Sequence, residues 1–303
     1  MPHTRRKKPS ASQNKRLQLT DDSGWTHVTT NKHARRVRQS TPNPNTSVNG
    51  NGQDNDVERE EIPEQLVPAE APPRTTFSDL QRQLELYRQR WENSATWGCV
   101  VEGLKCGVSS LTAQRKDEDE DEAEDGISIV CIGLGSPSGF LRGGWVDRRS
   151  VSMYQLAALA SVLSWIENYT SSLTSKPRIT AYAQDPVFNT YDESLLNSLN
   201  ITVLAHPHAF QKVTKRTLLF CPGAERRHLE ALLARDPAIV FGGPLDDIES
   251  DVVKSFVQNR ESIRLKEFSE LEAAFWGMSV YFPAPEVEED GLESKESEAD
   301  PKG

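Results

Sequence analysis

Three glycines and one aspartate in this 303-residue chain have the spacing of a cofactor site. Gly133, Gly135 and Gly139 follow directly on the apolar run Ile127–Ile132, and Asp185 follows a second apolar run. Glycines at the end of a buried strand let the backbone approach an adenosine, a methionine carboxylate or a phosphate without a Cβ clash. A carboxylate on the neighbouring strand end can accept hydrogen bonds from ribose hydroxyls. These four residues are the candidate cofactor-binding site, with S-adenosylmethionine or a nucleotide as the candidate ligand.

The same residues also fit a purely structural interpretation. The next helix is predicted to begin at Ser152, 17 residues after Gly135, so its N-terminal amides are not aimed at a phosphate beside the glycines. Asp185 precedes Pro186, and both residue types are common in turns. The ligand-pocket and structural-turn interpretations both stay open at this point.

Three arginines suggest a mobile lid near the glycines. Arg142, Arg148 and Arg149 surround Gly143 and Gly144 in a long loop that is predicted after the first strand. A planar guanidinium can bind an anionic group through two parallel hydrogen bonds. A solvated loop without such a role is the alternative, since long loops are often simply mobile.

Histidine and cysteine residues do not form a convincing metal or nucleophile pattern. His206 and His208 have the HxH spacing that can begin a metal site, but no third ligand lies near them in the sequence. We therefore expect no metal site. Cys221 paired with a histidine is a weak candidate nucleophile, because a cysteine at a strand end is most often a small buried apolar residue.

Alternating strand and helix patterns must position these residues. Apolar runs predict strands at 127–132, 178–183, 201–204, 217–221 and 238–241, with later strands at 263–268 and 280–282. Helices are predicted around them, including one at 246–258 and a last short helix opened by Ser269 with Glu272. Capping-box patterns place two earlier helix starts at Ser78 with Gln81 and at Ser152 with Gln155. Such alternation implies βαβ crossovers. We predict an α/β fold, a Rossmann-like three-layer domain with a mostly parallel sheet.

Composition predicts that the domain is flanked by disordered tails. Hydrophobic residues make up 36% of the chain and the formal net charge is −10. We expect a disordered basic and polar region at 1–76, the domain at 77–282 with an acidic disordered insert at 117–125, and a disordered acidic tail at 283–303. No apolar run is long enough for a membrane span or a secretory signal, so we expect no membrane partner.

Basic residues cluster at the N-terminus, at Arg5–Lys8, Lys15–Arg16 and Arg35–Arg38. They fit a nuclear-import signal or a solubilising tail. We expect a cytoplasmic and nuclear protein. Sequence-specific binding of nucleic acid is not expected, because this region has only Trp25 for stacking on a base. A factor that contacts nucleic acid through this tail is the weakest of three functional hypotheses.

A family resemblance covers roughly Ile127–Phe282. The chain resembles the sensitivity-to-red-light-reduced, or SRR-like, family in the order of five segments: VCIGLGSPSG, YQLAALASVL, AYAQDPVFNTYDESLL, TLLFCPG and AIVFGG. The segment GWTHV, Gly24–Val28, is similar to a short tryptophan motif that precedes the domain in relatives. The resemblance implies an association with red-light and clock signalling, and it brings no established reaction.

Two motifs of the family are replaced here. The resemblance implies Pro-His-Cys after the fourth strand, where this chain has Pro222-Gly223-Ala224, and Gly-Asn-Ser after the fifth, where it has Gly242-Gly243-Pro244. Our leading hypothesis is a regulatory or interaction protein with unidentified protein partners. The alternative is a methyltransferase-like or nucleotide-dependent enzyme that uses Gly133, Gly135 and Asp185.

Overall fold

The structure, a computed structural model, describes residues 17–20, 26–29, 67–112, 126–140, 148–174 and 176–284. The chain separates into two compact units, Met1–Ile62 and Pro63–Gly303. In the first unit, β1 (Leu17–Thr20) and β2 (Thr26–Thr29) pair antiparallel. Both strands fall in the region that the composition predicts to be disordered. The predicted acidic insert and acidic tail lie outside the described residues, apart from 283 and 284.

A seven-stranded mixed sheet forms the centre of the second unit. Its order is β5-β4-β3-β6-β7-β9-β8. The first five strands of that order run parallel, while β9 is antiparallel to both of its neighbours. The strands are β3 (Gly126–Ile132), β4 (Arg178–Gln184), β5 (Ile201–Val203), β6 (Thr217–Cys221), β7 (Ile239–Gly242), β8 (Arg260–Arg264) and β9 (Ser279–Pro283).

Helices cover both faces of this sheet, as the sequence predicts. One face carries α1 (Phe77–Glu92), α2 (Ala95–Thr112), α3 (Arg148–Ser171) and α4 (Thr190–Ser198). The other face carries α5 (Arg226–Leu233) and α6 (Asp251–Gln258). The α/β class and the three-layer arrangement are therefore confirmed. None of the described helices is both long and apolar enough to cross a membrane.

The central strands are apolar on both sides because they are buried on both sides. In β3, Ile129 and Cys131 face the core under α3, whereas Val130 and Ile132 face the core under α5 and α6. Side chains alternate between the two faces of a strand, so a continuous apolar run supplies both cores. This explains why the run Ile127–Ile132 identified the central strand correctly.

Both capping-box predictions were wrong. Helix α1 begins at Phe77, and its cap is Thr76, whose hydroxyl accepts a hydrogen bond from the Asp79 amide. Helix α3 spans Arg148–Ser171, so Ser152 does not begin it and is instead buried inside it. Gln155 donates through Nε2 to the carbonyl of Ala274 and so bridges α3 to another segment instead of capping the helix.

Three elements near the C-terminal end of the domain also differ from the prediction. Helix α6 begins at Asp251 instead of Asp246, because the Asp246 carboxylate lies against the Tyr281 hydroxyl of β9 before the helix starts. The predicted strand at 263–268 ends at Arg264, and Phe268 is buried among aromatic rings. The predicted last helix is a 3-10 turn, Glu272–Ala274.

Candidate functional site

The carboxyl ends of the parallel strands lie at one edge of the sheet, and this edge carries the predicted site residues. The loop after β3 holds Gly133, Gly135 and Gly139, and Asp185 follows β4 directly. In open α/β sheets, ligands bind at this edge near the point where the strand order reverses. Here the order reverses between β3 and β6. The structure therefore brings the four residues to the edge at which such ligands bind.

The loops after β3 and β6 meet backbone to backbone at this reversal. Gly133 has a φ of +77°, in the left-handed region that favours glycine. A Cβ on Gly133 would lie 2.5 Å from the carbonyl carbon of Gly223. The space directly between the two strand ends is thus filled by main chain. A ligand at this edge therefore cannot lie directly between these two strand ends.

Asp185 is bonded to the glycine loop itself. Its Oδ2 accepts a hydrogen bond from the Gly135 amide at 2.8 Å, and its Oδ1 accepts one from the Val187 amide at 3.0 Å. Burial raises the pKa of Asp185; the two amides oppose this effect, and the nearby Asp192 carboxylate adds to it. An ionised carboxylate offers about four acceptor positions. With these two bonds made, each oxygen keeps room for one further donor.

A second aspartate, which the sequence analysis missed, holds the rest of the loop. Asp192 is fully buried and accepts hydrogen bonds from the Ser136 hydroxyl at 2.6 Å, the Ser138 amide at 2.8 Å and the Asn189 amide at 3.0 Å. Asn189 in turn caps α4, so the two residues form a capping box. The Asn-x-x-Asp spacing in NTYD could have identified this capping box, although not the bonds to the serines.

Gly139 lies under a strap formed by residues 67–70. The Ala69 amide donates to the Val187 carbonyl at 2.9 Å, and the Glu70 amide donates to the Phe140 carbonyl at 3.1 Å. A Cβ on Gly139 would lie 2.8 Å from the Ala69 side chain. The strap therefore joins the loop after β3 to the loop after β4. It also extends the ordered part of the chain upstream of the predicted boundary at residue 77.

A groove of about 400 Å³ lies between α4 and β5, with Asp185 at its wall. This volume falls within the range of small-molecule sites. The groove and the glycine loop share Asp185, so a ligand in the groove would contact the carboxylate that holds Gly135. The lining residues are Asp185, Pro186, Phe188, Glu193, Asn197, Thr202, Val203, Leu204 and Ala205.

The arginine loop differs from its prediction. Arg148 and Arg149 belong to α3, and Arg142 lies outside the described residues. Arg149 donates through Nη2 to Gln83 Oε1 at 2.8 Å and through Nε to the Pro137 carbonyl at 3.3 Å. It braces the glycine loop against α1, which is a structural role that the sequence pattern did not indicate.

The histidines form an aromatic cluster. The rings of His206 and His228 lie 5.8 Å apart, and each also contacts Phe210. Gln184 accepts a hydrogen bond from the Ala209 amide at Oε1, which places its Nε2 against Nδ1 of His206 at 3.0 Å. Nδ1 is then the hydrogen-bond acceptor, and the neutral ring carries its proton on Nε2. With Nδ1 bonded and Nε2 protonated, neither nitrogen of this ring offers a free lone pair to a metal ion. Burial lowers the pKa of His228.

Metal and nucleophile chemistry find little support in these groups. Among the described residues, no group of three or more His, Cys, Asp and Glu has the geometry to hold a metal ion. Cys221 is buried, which raises its pKa to about 12, so its thiol stays protonated at neutral pH. The Cys–His nucleophile is therefore not supported by the structure.

Comparison with known proteins places the domain in a family. No curated protein and no solved structure matches the chain. The family model of the SRR1 domain matches residues 107–282, which is more than half of the chain and includes the glycine loop and the groove. The chain therefore belongs to the SRR1 domain family.

Proposed function

We propose that this chain is a regulatory or interaction protein whose SRR1 domain holds a small ligand at its carboxyl edge without transforming it. The observation that supports binding is the Asp185 carboxylate, which keeps open acceptor positions at the wall of a groove of about 400 Å³. Such a carboxylate at the end of the second strand suits a ligand with hydroxyl groups. The family resemblance implies an association of the regulatory protein with light and clock signalling.

Residues 222–224 and 242–244, which follow β6 and β7, lack the polar side chains that the family resemblance implies there, and this supports regulation over catalysis. The family resemblance implies Pro-His-Cys and Gly-Asn-Ser after β6 and β7, where this chain has Pro222-Gly223-Ala224 and Gly242-Gly243-Pro244. The described residues that line the groove include no His, Cys or Lys. Without the His, Cys, Asn and Ser side chains that the resemblance implies at these two strand ends, a bound ligand would act as a signal.

A methyltransferase-like enzyme is the second candidate, and the strand order favours it. Numbered from β3, the order is 3-2-1-4-5-7-6 with the seventh strand antiparallel. In open α/β sheets, nucleotide-type cofactors bind beside the point where the strand order reverses, which here lies between β3 and β6. Likeness of fold is an analogy and not a demonstration of activity, because one fold hosts many functions.

Methyl transfer separates the two candidates. The full chain, incubated with S-adenosylmethionine labelled in its methyl group and with cell extract, should transfer no more label than a Asp185→Asn variant. Label on an extract component that depends on the wild-type chain would support the enzyme and contradict the regulatory proposal. Thermal-shift measurements with the same ligand report binding independently of transfer.

We also propose that the protein is shared between cytoplasm and nucleus. The basic residues Arg5–Lys8 and Arg35–Arg38 support this proposal. Deletion of residues 1–40 should abolish nuclear accumulation of a fluorescent fusion, and an unchanged distribution would remove the import signal from consideration. Protein partners of the domain would then be sought in both compartments.

A further inference from the structure

The groove beside Asp185 has an acidic wall. Of its nine lining residues, Asp185 and Glu193 carry carboxylates and the other seven are neutral. None of the nine is Lys, Arg or His. The charge that acts on Asp185 from its surroundings is also negative, because the Asp192 carboxylate lies nearby. A negatively charged ligand would therefore be repelled from this groove.

The amides that could bind a phosphate at this edge already have acceptors from the protein. Phosphates in α/β folds are held by amides of the glycine loop and by the first amides of a helix. Here the Gly135 and Val187 amides donate to Asp185. At the start of α4, the amides of Tyr191 and Asp192 donate to the Asn189 side chain at 2.9 and 3.1 Å. These four amides are thus already bonded to the protein's own oxygens.

The open positions on Asp185 suit two neighbouring hydroxyl groups. Each carboxylate oxygen accepts one amide hydrogen bond and can accept another. The 2′ and 3′ hydroxyls of a ribose present two donors side by side, one for each oxygen. Apolar side chains of Phe188, Val203 and Leu204 also line the groove and can pack against a flat base.

We infer that this groove binds a nucleoside that carries no phosphate and is neutral or positively charged. The inference rests on the proposed ligand-holding function and specifies the ligand's chemical class. Asp185 binds the ribose hydroxyls, and Glu193 attracts a cationic group such as a sulfonium or an amine. S-adenosylmethionine and adenosine fit this description, whereas ATP and NAD do not.

Titration calorimetry of the full chain with separate probes tests the inference. We expect binding of adenosine and S-adenosylmethionine and no binding of ATP or NAD at the same concentrations. 2′-Deoxyadenosine, which lacks one of the two hydroxyls, should bind on the order of tenfold more weakly than adenosine, because a hydrogen bond to a charged group is lost. This comparison uses the wild-type chain only and does not depend on whether a variant folds.

Two variants test the assigned roles. Asp185→Asn should weaken adenosine binding on the order of tenfold. Glu193→Gln should weaken S-adenosylmethionine binding by about two- to fivefold and leave neutral adenosine unchanged, since an exposed charge contributes little. Asp247→Asn is the matched control at an exposed aspartate outside the groove, and it should change neither affinity.

The possible failures are distinct. If ATP or NAD binds as well as adenosine, the exclusion of phosphate is overturned while the ligand-holding function stands. If 2′-deoxyadenosine binds as tightly as adenosine, the ribose role of Asp185 is overturned. If none of the five probes binds, the ligand-holding function fails and this inference fails with it.

Discussion

At the carboxyl edge of the sheet, the loops after β3 and β4 are stabilised by one kind of interaction and the loops after β6 and β7 by another. The loops after β3 and β4 are joined by two carboxylates: half-buried Asp185 accepts two hydrogen bonds and buried Asp192 accepts three. The ends of β6 and β7 are held mainly by close packing, as between Cys221 and Gly242, and the loop after β7 is held by the bond from the Leu245 amide to the Tyr281 hydroxyl. The difference places the polar groups that a ligand could use on the β4 side.

Loss of Asp192 should have the largest effect on stability. Asp192→Ala leaves the Ser136 hydroxyl and the amides of Ser138 and Asn189 buried without an acceptor, at a cost of about 3–4 kcal/mol of unfolding free energy. Urea unfolding measures this change. The counterpart on the β7 side is Asp246→Ala, which removes one 3.3 Å contact with Tyr281 at an exposed aspartate and should cost less than about 1 kcal/mol. Equal losses in the two variants would contradict the comparison.

Gly133→Ala should have the next largest effect, because it disturbs the contact between the loops after β3 and β6. The left-handed φ of +77° and the 2.5 Å approach to the backbone of Gly223 both oppose a side chain, so we expect a loss of about 2–4 kcal/mol. Gly98→Ala is the matched control, since this exposed glycine of α2 has no atom within 4 Å of the added Cβ. It should stabilise the chain by about 0.5–1 kcal/mol. Thermal unfolding of both variants gives the comparison.

Asp185→Asn should change the pH dependence of stability rather than abolish folding. Burial raises the pKa of Asp185 in the folded chain, so its ionisation opposes folding above that pKa. As the pH falls from 7 through the raised pKa of the folded chain toward the lower pKa that Asp185 has in the unfolded chain, the wild type should become more stable relative to the variant. Unfolding free energies of both chains between pH 4 and 7 measure this. A difference that is constant with pH, or that moves the other way, would rule out a raised pKa.

The sequence predicted the sheet well because the central strands have a simple signature. Continuous apolar runs such as Ile127–Ile132 arise when a strand is buried on both faces, and they are hard to mistake in a chain with this much polar sequence. Helix starts were predicted poorly. The Ser-x-x-Gln pattern at Ser152 and Gln155 suits a cap, but tertiary contacts bury both residues inside α3.

The sequence also predicted which residues meet at the site, although not what they do there. Gly135 and Asp185 were expected on adjacent strand ends, and they lie 2.8 Å apart between amide and carboxylate. Asp192 was missed because an acidic residue in the first turn of a helix is already explained by the helix dipole. The strap at 67–70 was missed because four residues, Val-Pro-Ala-Glu, are too few to show a helical or strand periodicity, and only Ala69 is buried.

The position of β9 determines when the sheet can be completed during synthesis. Among the described strands this one comes last in the sequence, yet it lies between β7 and β8 and is hydrogen-bonded to both. Until residues 279–283 leave the ribosome, β8 has no partner in the sheet and β7 has a free edge. The nascent domain therefore exposes unpaired strand edges until its final strand enters, and during this interval it should depend most on chaperones.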